Sequence, residues 1–182
     1  TGSGKSTIVN LIPRFYDATE GEVLVDGVNV RELNQDALRL KIGYVPQKAV
    51  LFMGSVRDNL KWGSESATTE ELYDALRAAC AYDFIMEKEG GMEHVAAIKG
   101  ADFSGGQKQR IEIARALVTY PSVLIMDEAT SALDVETEKR VLSNIVQHKS
   151  NKTCVIITHR PSVTHLCQRV YCVKDTMIKE IE

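Results

Sequence analysis

The sequence predicts an α/β fold: a mostly parallel sheet with helices on both faces and an antiparallel β portion. Three observations predict it. Short continuous apolar runs alternate with segments of helical periodicity. Two of those runs, VLIMDE and TCVIITH, end in chemically active residues. The chain also opens on TGSGKST, the kind of glycine-rich turn that joins a strand to a helix around a phosphate.

In chain order, STIVNLIPRFY reads as the helix after the opening turn, with Pro13 loosening its end. GEVLVDGVNV reads as two short strands around Asp26-Gly27, a hairpin signal. NQDALRLK is a short amphipathic segment, and IGYVPQ a strand ending at a proline and a glutamine. Thr68 and Glu71 form a capping box before ELYDALRAACA, whose Leu72, Ala75, Leu76 and Ala79 share one face. SGGQKQRIEIARALVTY is a helix capped by Ser104, with Gln107 at its third position. VLIMDE is a buried strand, VETEKRVLSNIVQHK a helix led by Asp134, and TCVIITH a second buried strand. RVYCV and TMIKEI close the chain as strands.

Composition limits the function classes. A chain of 182 residues with 44% hydrophobic content is one domain with an ordinary core. A net charge of −3 gives no electrostatic pull toward nucleic acid, and no nucleic-acid partner is expected. No apolar run approaches a membrane span, and there is no signal peptide. The four cysteines lack C-x-x-C spacing, and Cys154 reads as a small core residue. His94, His148 and His165 lie in no motif and read as solvent-facing. Arg110 and Arg115 read as surface or packing residues of their helix, and Trp62 as the anchor of the DNLKWG turn.

The candidate site begins at the opening turn. Phosphate-binding loops read G-x-x-x-x-G-K-[ST], because side chains would block backbone amides from turning onto phosphate oxygens. Gly4, Lys5 and Ser6 fill the last three places, with Gly2 and Ser3 in the loop and Thr7 following. Lys5 would reach the terminal phosphates, and the Ser6 hydroxyl would ligate Mg2+. The first glycine of the pattern falls before Thr1, so the chain is expected to be N-terminally truncated. In open α/β sheets ligands sit beyond the carboxyl ends of the strands. Asp127 and Glu128 leave one strand there and His159 another, which points to one pocket. A phosphate–Mg2+ site needs a carboxylate near the metal and a second group to orient water. FSGGQ offers a second helix start with bare amides, able to engage a neighbouring subunit's nucleotide.

Together these stretches resemble the nucleotide-binding domain of an ATP-binding cassette transporter. TGSGKST is similar to the tail of the Walker A loop of a P-loop NTPase, and VPQ with Gln47 to the Q-loop. FSGGQ is similar to the signature motif, VLIMDE to Walker B, SALD (Ser131 to Asp134) to the D-loop, and ITH with His159 to the switch. NLIPRFYD and LFMGSVRDNLKWG further resemble exporter-type members, the multidrug and lipid exporters. The resemblance implies one partial ATPase domain over residues 1–182, with a helical signature subdomain over about 48–120, and membrane domains encoded upstream.

It also implies a mechanism. Two such domains pair head to tail, and ATP lies between the Walker A loop of one and Ser104, Gly105, Gly106 and Gln107 of the other. Glu128 orients water, His159 contacts the γ-phosphate, and Gln47 senses Mg2+ and the membrane domain. Asp127 holds Mg2+ with Ser6 and Gln47, and Ser131 and Asp134 serve as the D-loop. The location implied is the cytoplasmic face of a membrane.

The sequence departs from the exporter pattern at VAAIKG, where Ala97 and Ile98 replace the usual glycine and glutamate. It departs again at Thr176, where a glycine is usual. Two other readings are weaker. One is a soluble cassette ATPase that remodels DNA or ribosomes, of which the DNA-repair members carry long coiled coils or zinc modules between Walker A and the signature. A non-hydrolysing half of a heterodimer often loses the Walker B glutamate or the switch histidine, and both are retained here.

Overall fold

The computed structural model describes residues 4–148, 152–174 and 177–181. A three-stranded parallel sheet forms its centre. Strand β3 (Ile42–Val45) and strand β7 (Thr153–Ile157) flank β6 (Val123–Asp127), in the order β3–β6–β7. Leu124 to Met126 are all buried, so β6 is covered on both faces. Alternate side chains go to opposite faces. Leu124 and Met126 join a large apolar cluster with helices α6 (Gly105–Leu117) and α7 (Val135–Gln147). Ile125 joins a smaller one with Val9 of α1 (Lys5–Asn10), Leu38 of α2 (Gln35–Leu40) and Ile157. The sheet is therefore sandwiched, as the continuous apolar runs predict.

The smaller elements follow their local chemistry. Strands β1 (Leu24–Val25) and β2 (Val28–Asn29) pair around Asp26 and Gly27, both at positive φ, the mirror-image turn that Asp-Gly favours. Helix α1 stops before Pro13. The insertion contains β4 (Gly54–Ser55), α3 (Val56–Lys61), α4 (Thr69–Ala78), α5 (Tyr82–Met86) and β5 (Val95–Ala96). The Thr68–Glu71 capping box is present at α4, and α3 carries another, Ser55–Asp58. Leu72, Ala75, Leu76 and Ala79 are buried as expected. Helix α8 (Pro161–Thr164) and the exposed hairpin β8 (Val170–Lys174) and β9 (Met177–Ile181) complete the chain. Thr176 lies outside the described residues.

Three side-chain readings need correction. His94 does not face solvent: Nε2 lies 2.6 Å from Asp102 and the ring packs edge-on against Phe103. Burial raises the Asp102 carboxyl, but bonds from His94 and the Ala97 amide outweigh it and leave the group below its ordinary range. His148 stacks flat on Tyr120. Trp62 is largely exposed and leans on Phe52, so it does not anchor its turn by burial.

One polar cluster ties α6 to the segment that follows Gln47. The Arg115 guanidinium donates to the Asn59 carbonyl at 2.8 Å, to Asn59 Oδ1 at 2.9 Å and to the Val50 carbonyl at 3.2 Å. It also pairs with Glu112 at 3.3 Å, and Glu112 accepts the Val50 amide at 2.9 Å. Burial pushes the Glu112 carboxyl up, with Arg115 acting against it, and pushes Arg115 down. Removing one partner of a buried pair strands the other charge. Arg115→Ala is therefore expected to cost about 3–5 kcal/mol of stability, and adding Glu112→Leu should restore part of it. Urea unfolding of both variants checks this. A loss below about 1 kcal/mol for Arg115→Ala would assign the pair a surface-like role.

Candidate functional site

The parallel register brings the sequence-predicted residues to one edge. Val45 pairs with Met126, and Asp127 pairs with Ile157, so β3, β6 and β7 end nearly level. Gln47 comes two residues after β3, Glu128 one after β6 and His159 two after β7. Since β6 lies between the others, Glu128 sits between Gln47 and His159. Gln47 Nε2 donates to Glu128 Oε2 at 2.8 Å, and His159 Nε2 lies 3.1 Å from Glu128 Oε1. An ionised carboxylate only accepts, so Gln47 must turn its nitrogen toward it, which leaves the amide oxygen available.

The Glu128 backbone is unusual. Its φ is 49°, the left-handed region that a glutamate seldom occupies. Two main-chain bonds hold it there. Glu128 N–H donates to the Ile157 carbonyl at 3.0 Å, extending the ladder, and its carbonyl accepts the Ser131 amide at 3.0 Å. Such a conformation costs on the order of 1–3 kcal/mol and persists where surroundings over-determine it. Here it turns the chain off the strand, directly after the buried Asp127, with the Glu128 carboxylate between its neighbours.

Asp127 stays within the sheet edge. Burial pushes the Tyr44 phenol up, and the adjacent Asp127 carboxylate pushes it the same way by charge and hydrogen bonding. Gly4 adopts φ 82° and caps α1, and its carbonyl accepts the Ile8 amide at 3.0 Å. Lys5, Ser6 and Thr7 form the first turn of that helix, with Ser6 and Thr7 exposed. The remaining loop positions, Gly2 and Ser3, lie outside the described residues. Ser6, Gln47 and Asp127 offer hydroxyl, amide and carboxylate oxygens, a donor set that suits Mg2+ sharing its shell with phosphate and water. No group of three His, Cys, Asp or Glu able to hold a metal by itself occurs among the described residues.

The signature residues stand apart from this trio. Ser104 Oγ accepts the Gln107 amide at 3.2 Å, and Gln107 Oε1 accepts the Ser104 amide at 2.9 Å, a reciprocal cap on α6. Gly106 packs so closely that a Cβ would lie 2.9 Å from the Ala132 carbonyl oxygen. Asp134 caps α7 through the Thr137 amide at 2.9 Å, which holds its carboxylate below the usual range. Three residues of this region escaped the sequence reading. Gln109 and Arg160 bond to residues 131–133, and Glu138 is buried beside Arg160. Glu138 had a readable signal. It stands three and four residues before Val141 and Leu142, on the face α7 buries.

Comparison with known proteins agrees with this geometry. The family described as ABC transporter matches residues 1–131. The chain is 42% identical over 181 residues to "ABC transporter B family member 2" of Dictyostelium discoideum, covering 100% of this chain and 13% of that protein. It is also 42% identical to the "ATP-dependent lipid A-core flippase" of Syntrophus aciditrophicus, covering 99% of this chain and 30% of that one. Among solved structures, a bacterial Atm1-family ABC exporter with ATP bound superposes with a TM-score of 0.91 at 38% identity, over 97% of this chain and 31% of that chain. This chain thus spans less than a third of the length of each of these relatives. No helix among its described residues is long and apolar enough to cross a membrane. With the family matched over residues 1–131 and the fold shared over nearly the whole chain, the chain belongs to the ABC transporter family, whose nucleotide-binding fold it carries.

Proposed function

We propose that this chain binds and hydrolyses ATP as the motor domain of an exporter-type transporter, at the cytoplasmic face of a membrane. The observation that carries the reading is the Glu128 carboxylate held between Gln47 and His159 at the end of three parallel strands. In this reading Gly2 to Thr7 cradle the phosphates, and Lys5 neutralises their charge. Ser6, Gln47 and Asp127 would hold Mg2+, which would supply charge neutralisation at the phosphates. Glu128 orients the attacking water and takes up its proton. His159 contacts the γ-phosphate and, through Nε2, the same carboxylate. A carboxylate already fixed by two neighbours needs little reorganisation when water arrives.

The partner is a second nucleotide-binding domain, and the membrane domains belong to the same transporter. Ser104 to Gln107 serve the partner's ATP, since α1 and α6 each begin at glycine and a symmetric head-to-tail pair lets each serve the other. The family match and the exporter relatives support this assignment.

Two measurements in the intact transporter test it. Glu128→Gln keeps the shape but loses the base and one acceptor oxygen, so ATP binding should persist while turnover falls by about 10²–10⁴-fold. Near-normal hydrolysis would remove Glu128 from the catalytic role. The second test pairs one Lys5→Ala chain with one Ser104→Asp chain. Aspartate keeps the helix cap but places negative charge against phosphate, whereas a change at Gly106 would also strike Ala132 of its own chain. If the signature acts on the partner's ATP, both lesions fall in one composite site and the other continues to hydrolyse. Loss of all activity, while each mutant chain paired with wild type remains active, would reject the arrangement.

A further inference from the structure

The segment Ser131–Leu133 is a turn without helix or strand, yet its polar atoms are held from three sides. Ser131 N–H bonds to the Glu128 carbonyl at 3.0 Å, and Leu133 N–H to the Thr130 carbonyl at 3.0 Å. From α6, Gln109 Oε1 accepts the Ala132 amide at 3.0 Å, and Gln109 Nε2 donates to Ser131 Oγ at 3.2 Å. From the residue after His159, the Arg160 guanidinium donates to the Ser131 carbonyl at 2.9 Å and the Leu133 carbonyl at 3.0 Å.

Glu138 explains how Arg160 is aimed. Its side chain is only 1% exposed, and a carboxylate is buried this deeply only with a partner. Arg160 Nη1 lies 3.1 Å from Glu138 Oε1, an ion pair without a hydrogen bond, while Nη1 and Nη2 donate to the loop carbonyls. Ser162 donates to the other carboxylate oxygen at 3.3 Å. A planar fork can serve two carbonyls and a carboxylate at once, and an ammonium on a flexible stem cannot fix that geometry.

We infer that Arg160, seated by Glu138, and Gln109 are positioning residues that lock the Ser131–Leu133 backbone between the signature helix and the peptide carrying His159. The link reaches the chemistry in two steps: Arg160 holds the Ser131 carbonyl, and the Ser131 amide holds the carbonyl of Glu128. A movement of α6 or of the His159 peptide is thereby passed to the loop that sets Glu128. The inference rests on Glu128 and His159 being the hydrolytic pair, and it gives a task to three residues outside that pair.

The test uses the intact transporter and reads kcat and KM for ATP together with the thermal midpoint. Arg160→Lys keeps a charge for Glu138 but cannot hold both carbonyls. The double variant Arg160→Met with Glu138→Met removes the buried carboxylate together with its partner charge, so stability is retained while the carbonyl bonds are lost. Gln109→Met removes the α6 side. Each folded variant is expected to keep its KM within about twofold and to lose about ten- to a hundredfold in kcat, as misplacement of a reacting group does. Gln109→Met combined with Arg160→Lys should cost less than the product of the two, because they hold one loop. Wild-type kcat in any folded variant overturns the inference, as does a rise in KM that accounts for the whole loss. If none of the variants folds, the network is a stability element and the inference is also overturned. A wild-type protein without ATPase activity, or a Glu128→Gln variant that keeps it, would instead overturn the functional reading beneath.

Discussion

Strand β6 is the constraint on which the rest depends. Among the described strands it alone pairs on both sides, and its parallel register with β3 and β7 puts three strand ends at one edge. Parallel strands need crossovers, and here the crossover helices cover one face while α1 and α2, which precede β3, cover the other and complete the burial of the strand. Burial in turn fixes the register, since a one-residue slip would send Leu124 and Met126 to the wrong face. That register places Glu128 within reach of Gln47 and His159. The geometry of this trio is thus a by-product of core packing, accurate because the core tolerates no alternative.

Around this sheet, polar clusters do what apolar packing cannot: they fix loops. The segment after Gln47 is held by Arg115, Glu112 and Asn59, and the turn after Glu128 by Gln109 and Arg160. Both clusters draw on α6, which opens with the signature residues at Ser104. A single helix therefore braces the loops on two sides of the carboxylate. Buried ion pairs contribute little net stability compared with apolar substitutes, and their use here is geometric specification.

The sequence was most legible where local chemistry and burial coincide. VLIMDE is apolar because it is buried on both faces, and Asp26-Gly27 reads as a turn because both residues need positive φ. Thr68 and Ser104 read as caps because their partners stand three residues on. The trio at the sheet edge was legible as three strand ends, but not as one hydrogen-bonded set, because strand order is not written locally. His94 and His148 were misread for the same reason: Asp102 and Tyr120 meet them through tertiary packing. Arg160 stood beside His159 in the sequence, yet its carbonyl partners are 27 and 29 residues away.

The left-handed backbone at Glu128 has a consequence for how this position can change. In the proposed function its side chain supplies chemistry, but its φ of 49° filters the replacements before chemistry is consulted. Asparagine, aspartate and glycine tolerate that region, while valine and isoleucine are driven from it by their branched Cβ. A chain that abandoned hydrolysis would have an open route through the first group and a closed one through the second. The turn that holds the carboxylate would survive the loss of its purpose, so an inactive relative could keep the same loop path with only the side chain altered.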